Sequence, residues 1–268
     1  WCDTVQAKLR EKGQRIYGIG QGASTGSDNP FLNMQMFLNA HGAQVVSPEG
    51  ELQINDPDVK QRVVAALASY TKPITDKCTP ADSVNWGPAD DNVSFLNKKN
   101  VVAMNPTLSI PLALKESNPE DFAKVRTMPW PNGLDGKPTP AFTSVKQILS
   151  FSASPHPENV KSFLAFLLQP DVVGPMLKNY GGRWMPVMPE LIEDPFYAQS
   201  DDPNIRAMYT QFTQGETLPL PQNYSRLYSK VMQEHLWQKA MGRVVLDGWS
   251  PEQAVDELAQ RTTELFAE

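Results

Sequence analysis

The residues of this chain that could do chemistry are few and scattered. Its histidines are His41, His156 and His235. His41 closes a helical stretch, His156 sits in a proline-bearing turn, and His235 falls in a late helical stretch. None has a Cys, Asp or Glu at metal-ligand spacing, so each is expected to be structural or solvated, and no metal site is expected. Neither a Gly-x-Ser-x-Gly nucleophile elbow nor a phosphate loop is expected. Gly18, Gly20 and Gly22 alternate after a short apolar stretch but lack the third glycine of a dinucleotide fingerprint. Ser and Thr follow them, which reads as a ligand-facing loop. The carboxylate pairs Asp90-Asp91 and Asp201-Asp202 open a helix and lie in a loop, where capping and solvation explain them. No catalytic residue and no cofactor are expected.

The elements that must position these residues alternate. The chain has 268 residues, 40% hydrophobic and 20% charged, enough for one large or two modest cores. Its net charge of -6 disfavours nucleic acid, whose phosphates need a basic stripe, and anionic membrane surfaces. No run is long and apolar enough to cross a bilayer. Residues 2–12 read as a helix, Arg15–Ile19 as a strand, Gln21–Asn29 as a loop and Phe31–Ala40 as a helix. Gln44–Ser47 and Glu51–Ile54 read as extended pieces around Pro48-Glu49-Gly50. Asp56-Pro57 reads as the N-cap and first position of a helix whose apolar face is Val59, Val63, Val64 and Leu67. A short helix at Asp90–Lys98 carries Val93 and Leu96. Val101–Met104 reads as a fully buried strand, and Val125–Met128 and Val145–Phe151 as further strands. Between the last two, residues 129–140 crowd Pro and Gly into a stiff connector. Val160, Phe163, Leu164 and Leu167 make a helical stripe. After a second Pro-bearing crossing at Pro186–Asp194 the pattern is helical through Asn204–Thr213, Ser225–Met241 and Pro251–Ala267. The order implies an α/β protein whose chain passes between two lobes.

The chain has 2 cysteines, Cys2 and Cys78. Their spacing does not suit zinc. They are either unrelated buried thiols in a reducing compartment or, in an exported protein, one disulfide.

Several segments together resemble the extracellular solute-binding proteins of the maltose-binding type. Phe37-Leu38-Asn39-Ala40-His41-Gly42-Ala43 is similar to that family's helix end before a glycine turn. Ile54-Asn55-Asp56-Pro57-Asp58-Val59-Lys60 is similar to its helix entry. Phe95-Leu96-Asn97-Lys98-Lys99-Asn100-Val101-Val102-Ala103-Met104 resembles its "F-x-x-G-K-x-A-M" signature, with Lys99-Asn100 where the family has Gly-Lys. Ser154-Pro155-His156-Pro157-Glu158 with Phe163-Leu164-Ala165-Phe166-Leu167 resembles its "S-x-x-P-E-x-A-x-x-F-L-x-F-L" stretch. Ser250-Pro251-Glu252-Gln253-Ala254-Val255 resembles the start of its closing helix. Each piece also reads as an ordinary capped helix, so the order and spacing carry the resemblance.

The resemblance implies the type II periplasmic-binding-protein fold, with the C-terminal lobe and part of the N-terminal lobe in this chain. Residues 1–128 and 187–268 are expected to build the C-terminal lobe, 139–186 part of the N-terminal lobe, and 129–138 the connector. Trp1 falls where the family has "T-W-D-E", well inside the mature protein. The implied role is binding, not catalysis. A small carbohydrate is captured in an inter-lobe cleft and delivered to the permease subunits of an ABC importer, outside the cytoplasm. No nucleic acid, no membrane insertion and a monomeric full-length protein go with that role. A glycoside-processing enzyme and a binder of a non-sugar solute are the alternatives.

A sugar site needs flat rings for the apolar sugar faces and planar polar side chains for the hydroxyls. There are 6 Trp. Trp86 and Trp130 in loops and Trp184 beside Gly181-Gly182 are either such rings or lids over the core. Trp237 and Trp249 are expected between helices. The positions the resemblance assigns to the cleft contain Gln21, Asn29, Asn105, Thr107, Trp130, Arg183, Trp184, Asn223 and Tyr224, to which Trp86 is added as a loop ring. Asn105–Ile110 has no aromatic where the maltose-binding protein has a stacking Trp, which argues against a maltodextrin.

Overall fold

A computed structural model describes residues 2–268, and Trp1 lies outside the described residues. The chain folds as two compact units. The larger takes the residues up to Pro106, Trp130–Phe142 and Glu216–Glu268, and the smaller takes Thr107–Pro129 and Thr143–Gly215.

The core of the larger unit is built by helices whose apolar residues recur at helical spacing. Helix Asn29–Ala40 buries Phe31, Met34 and Leu38, and helix Pro57–Thr75 buries Val63, Ala66, Leu67 and Tyr70. Helices Leu236–Val245 and Pro251–Ala267 bury Trp237, Ala240, Met241, Val255, Leu258 and Leu265 in the same cluster. The helix starts are chemically marked. Asp56 accepts hydrogen bonds from the backbone of Asp58 and Val59 ahead of Pro57. Ser250 and Gln253 form a reciprocal capping box around Pro251. The expected late helix Ser225–Met241 is two helices, Tyr228–Gln233 and Leu236–Val245. His235 between them adopts φ 51°, a left-handed conformation that ends the first helix.

Strand Tyr17–Gly20 pairs parallel with Asn100–Ala103, Ile19 opposite Val102. The Asn100–Ala103 strand is not the buried strand expected at Val101–Met104. Asn100 is its buried residue, and Val101 is 38% exposed. A two-stranded pair covers little of either face, so the apolar run stays half in solvent. The pieces Gln44–Ser47 and Glu51–Ile54 meet in a single antiparallel bridge, Val46 to Leu52.

A disulfide joins Cys2 to Cys78. Around it, the N-terminal helical turns dock on the strand. The Gln6 side chain donates to the Lys77 carbonyl (2.9 Å) and accepts from the Gly18 N–H (3.0 Å). The Ile19 N–H donates to the Cys78 carbonyl (3.1 Å).

The smaller unit has a modest core of Leu108, Tyr197 and Ile205, with Met185, Phe196, Met208 and Tyr209 packed on it. Residues 107–128 and 187–215, expected with the larger lobe, supply most of this core. After Ser109–Ser117, its helices open on Pro: Pro119–Phe122, Pro157–Leu167, Pro170–Asn179, Pro189–Ile192, Pro195–Ala198 and Pro203–Gln214. Proline at the first helical position costs no hydrogen bond there.

Two expected strands do not form. Val125–Met128 and Val145–Phe151 have no regular structure and no strand partner among the described residues. Ile148, Leu149 and Phe151 are 59%, 75% and 81% exposed. Helix Pro157–Leu167 buries none of its residues, and its stripe residue Phe163 is exposed. These segments carry apolar patterning that no neighbour among the described residues fully buries. No single described helix is long and apolar enough to cross a membrane. The pair Pro157–Leu167 and Pro170–Asn179 reaches that length only across a 65° bend.

Candidate ligand-binding site

In the larger unit, the loop after strand Tyr17–Gly20 is polar yet held rigidly. The Gln21 amide donates to the Tyr70 carbonyl (2.6 Å), and the Tyr70 hydroxyl donates to the Gly22 carbonyl (2.6 Å). Burial pushes the Tyr70 hydroxyl far above its ordinary pKa, so it remains a donor. Ser24 Oγ accepts from the Gly26 N–H (2.9 Å), and Ser27 Oγ accepts from the Asn29 N–H (3.1 Å). Asn29 Nδ2 donates to the Pro88 carbonyl (2.9 Å), which ties this loop to the Trp86–Ala89 loop.

Gly22-Ala23-Ser24-Thr25-Gly26 is a Gly-x-Ser-x-Gly sequence, which corrects the expectation that the chain has none. Its context is different. Ser24 is 7% exposed and spent on the local turn. The nearest histidine in sequence, His41, has Nδ1 on the Phe37 carbonyl (2.8 Å) and Nε2 on Ser69 (3.1 Å). That is a structural histidine, not a base paired with Ser24.

The two loops border a small concavity that occupies about 290 Å³ counting its open mouth. Gly20, Gly22, Asn29, Asn33, Trp86 and Asp91 are among its walls. The absence of a side chain at Gly20 matters here, because a Cβ would lie 2.6 Å from the Asn100 amide. Trp86 is 7% exposed and backs the concavity against Gly22.

Helix Asp90–Leu96 supplies the remaining wall and reverses the expected pattern. Its buried residues are Asp91 and Ser94, while Val93 is 49% exposed. The polar face is satisfied by neighbours. Ser94 Oγ donates to Asn100 Oδ1 (2.5 Å), and Asn100 Nδ2 donates to the Val102 carbonyl (2.8 Å). Asn105 Nδ2 donates to Asp91 Oδ2 (3.0 Å) and also contacts Asn92 Oδ1. The pair Asp90-Asp91 therefore divides its labour. Asp90 accepts from the Gly87 N–H (2.7 Å) at the helix start, while Asp91 turns inward. Burial raises the Asp91 carboxyl above the usual carboxylate range. The Asn92 backbone and Asn105 amide oppose that rise, and the Asp90 charge adds to it.

The structure thus brings four of the residues singled out in the sequence to one place. Asn29 and Trp86 line the concavity, Gln21 is buried in the loop behind it, and Asn105 holds Asp91. Three others stand elsewhere in the larger unit. Trp130 meets Phe37 edge-on with centroids 5.5 Å apart. Tyr224 packs on the main core, and its carbonyl lies where a Cβ on Gly50 would sit at 2.9 Å. Asn223 is exposed at the end of a short turn. In the smaller unit, Thr107 Oγ1 accepts from the Ser109 N–H (3.3 Å). The Arg183 guanidinium lies 5.3 Å over the Trp184 ring, with Lys146 at 5.6 Å. Trp237 is buried between helices, whereas Trp249 is half-buried under Arg243 at 4.6 Å. Asp91 was missed. Its signal was the reversed amphipathicity of its own short helix.

No three described His, Cys, Asp or Glu residues come together to hold a metal. A polar loop, a buried Trp and the polar face of a short helix line this concavity. The fold is that of the type II periplasmic binding proteins. It is shared with a sugar transporter of Arthrobacter chlorophenolicus with bound laminaribiose (TM-score 0.76, 17% identity), covering 96% of this chain and 64% of that one. An ABC transporter solute-binding protein of Thermotoga lettingae bound with α-D-tagatose has a TM-score of 0.70 at 20% identity, with 95% and 60% covered. The maltose-bound MalE3 protein of T. maritima has 0.72 at 19%, with 97% and 63% covered. The model of bacterial extracellular solute-binding proteins matches residues 3–174, and the chain belongs to that family. Comparison with curated proteins gave no match. The chain spans under two thirds of the length of the solved structures it resembles.

Proposed function

We propose that this protein is the sugar-capturing component of a bacterial ABC importer, acting in the periplasm or at the cell exterior and handing its ligand to permease subunits. The observation that carries this reading is a fold shared, over nearly the whole chain, with structures that hold laminaribiose, tagatose and maltose. The concavity supports it by its lining, which sets the polar side chains of Asn29, Asn33 and Asp91 around the buried Trp86. In the smaller unit, Arg183 and Trp184 offer a second ring and guanidinium. Thr107, Trp130, Asn223 and Tyr224 keep the ligand role that the resemblance implies, and Gln21 and Asn105 act by holding the walls.

The test is calorimetry of residues 1–268 against a panel of neutral mono- and oligosaccharides. The expected result is selective but weak binding, no tighter than the high-micromolar range. The concavity is shallow and mostly open to solvent, far short of a small-molecule pocket that encloses most of its ligand. Each unmade contact of about 1.4 kcal/mol costs tenfold in affinity. A micromolar or tighter titration would show that the site is misplaced, and no binding at millimolar sugar would overturn the sugar reading.

The same reading partitions the chain into a C-terminal lobe of 1–128 and 187–268 and an N-terminal portion of 139–186, joined by 129–138. Limited proteolysis checks this. Apart from the exposed 145–151 segment, cuts should concentrate within 129–138, and protection of 129–138 while 152–186 is cut would contradict it.

A further inference from the structure

We propose that the larger unit carries a basic surface that rests on the phosphate groups of an anionic lipid membrane, at the end of its sheet away from the concavity. The proposal stands on the distribution of charge and does not depend on the sugar reading.

Three stretches far apart in the sequence build this surface. Strands Tyr17–Gly20 and Asn100–Ala103 begin side by side, and the Tyr17 N–H donates to the Lys99 carbonyl (2.8 Å). That pairing brings Arg15 and the pair Lys98-Lys99 to the same end of the sheet. The Gln6 amide donates to the Lys77 carbonyl (2.9 Å) and so ties the N-terminal turns there. Those turns carry Lys8 and Lys12, one helical turn apart, with the Lys12 N–H on the Lys8 carbonyl (3.3 Å). All six cations are exposed. Among the described side chains of residues 4–15, 72–78 and 97–99, the carboxylates are Glu11 and Asp76, and Asp76 lies 2.6 Å from Lys72. Gly20 and Gly22 of the concavity lie past the other end of the strand, about 10 Å away at the rise of a strand residue.

Lys77 and Lys98 both adopt φ 58°, a left-handed conformation that Gly or Asn takes at lower cost. A lysine at such a position adds charge against a backbone penalty. The net charge of -6 does not cancel this face, because salt screens exposed charges beyond about 10 Å at 0.1 M. The composition of the surface selects its partner. Protein interfaces centre on apolar side chains and are depleted in Lys. Here five of the six cations are Lys, and no large apolar side chain of residues 4–20 or 72–82 is exposed. Such a surface suits a diffuse layer of phosphates, where each Lys or Arg contributes about fivefold to partitioning.

The experiment is co-sedimentation of the 268-residue chain with vesicles of phosphatidylglycerol and phosphatidylethanolamine, and with neutral phosphatidylcholine vesicles, over a series of salt concentrations. The triple variant Lys8→Gln, Lys12→Gln, Lys99→Gln is compared with a control, Lys60→Gln, Lys230→Gln, Lys239→Gln, which removes equal charge from other helices of the larger unit. Binding to the anionic vesicles at low salt that is lost at high salt, with at least a tenfold fall for the first variant and a smaller one for the control, supports the proposal. A fall below tenfold, or equal falls in the two variants, overturns it. Equal binding to the neutral vesicles, or binding that salt does not weaken, also overturns it, since exposed apolar residues would then be responsible. Absence of binding to the anionic vesicles at low salt overturns it as well, and is the outcome expected if the surface serves an acidic protein instead. The salt series on the unaltered chain needs no substitution, so the proposal stays testable if a variant folds poorly.

Discussion

Replacing both Cys2 and Cys78 with Ala, or reducing their disulfide, is expected to destabilise the larger unit by about 4.5 kcal/mol in the chain-entropy account, in which the penalty grows with loop length. The bridge spans 76 residues, so it removes a large share of the freedom of the unfolded chain. The Cys2–Cys78 loop contains the Tyr17–Gly20 strand, the polar loop and helices Asn29–Ala40 and Pro57–Thr75. Those elements carry most of the concavity's wall. Urea unfolding with and without reductant measures the difference, and a change below about 1 kcal/mol would contradict a constraining role. Thiol titration of unreduced protein under denaturing conditions should find no free thiol. An intact disulfide also suits a protein that works outside the reducing cytoplasm.

Trp237→Ala should cost about as much by a different route. Trp237 is 1% exposed in the main core, and truncating a buried Trp costs about 3–5 kcal/mol through lost transfer energy and the cavity left behind. Its indole N–H also donates to the Tyr228 hydroxyl (2.6 Å), itself buried and pushed far up in pKa by that burial. Removing the donor strands the hydroxyl inside the core. Trp237→Phe keeps most of the volume and loses the hydrogen bond, so the two variants separate packing from pairing. Thermal melts should show a fall on the order of 10 °C for Ala and a smaller one for Phe. Equal falls would mean that the hydrogen bond, not volume, dominates.

Much of the fold was legible because local chemistry and burial agree in the larger unit. Asp56-Pro57 and Ser250-Pro251 mark helix starts by capping chemistry that needs no tertiary partner. The spacing of Phe31, Met34 and Leu38, and of Val63 and Leu67, places each on one helix face. Segments whose fate depends on a distant partner were not legible. Val145–Phe151 has strand composition, but a strand exists only through hydrogen bonds to another, and the structure pairs it with none. Val101 reads as buried, and only the two-stranded extent of its sheet leaves it exposed.

The site divides along the same line. By itself, the sequence determined the family likeness, the polar loop after the first strand, and the presence of Asn29, Trp86 and Asn105 near it. Those are properties of order and residue type along the chain. Only the tertiary structure decided that Gln21 faces Tyr70 rather than solvent, that Asn105 is spent on Asp91 and Asn92, and that Asp91 turns inward while its neighbour Asp90 binds the Gly87 backbone. Adjacent carboxylates are equivalent in a sequence. On a helix they point about 100° apart, so one meets the turn before the helix and the other the wall of a concavity, where burial gives it a different chemistry.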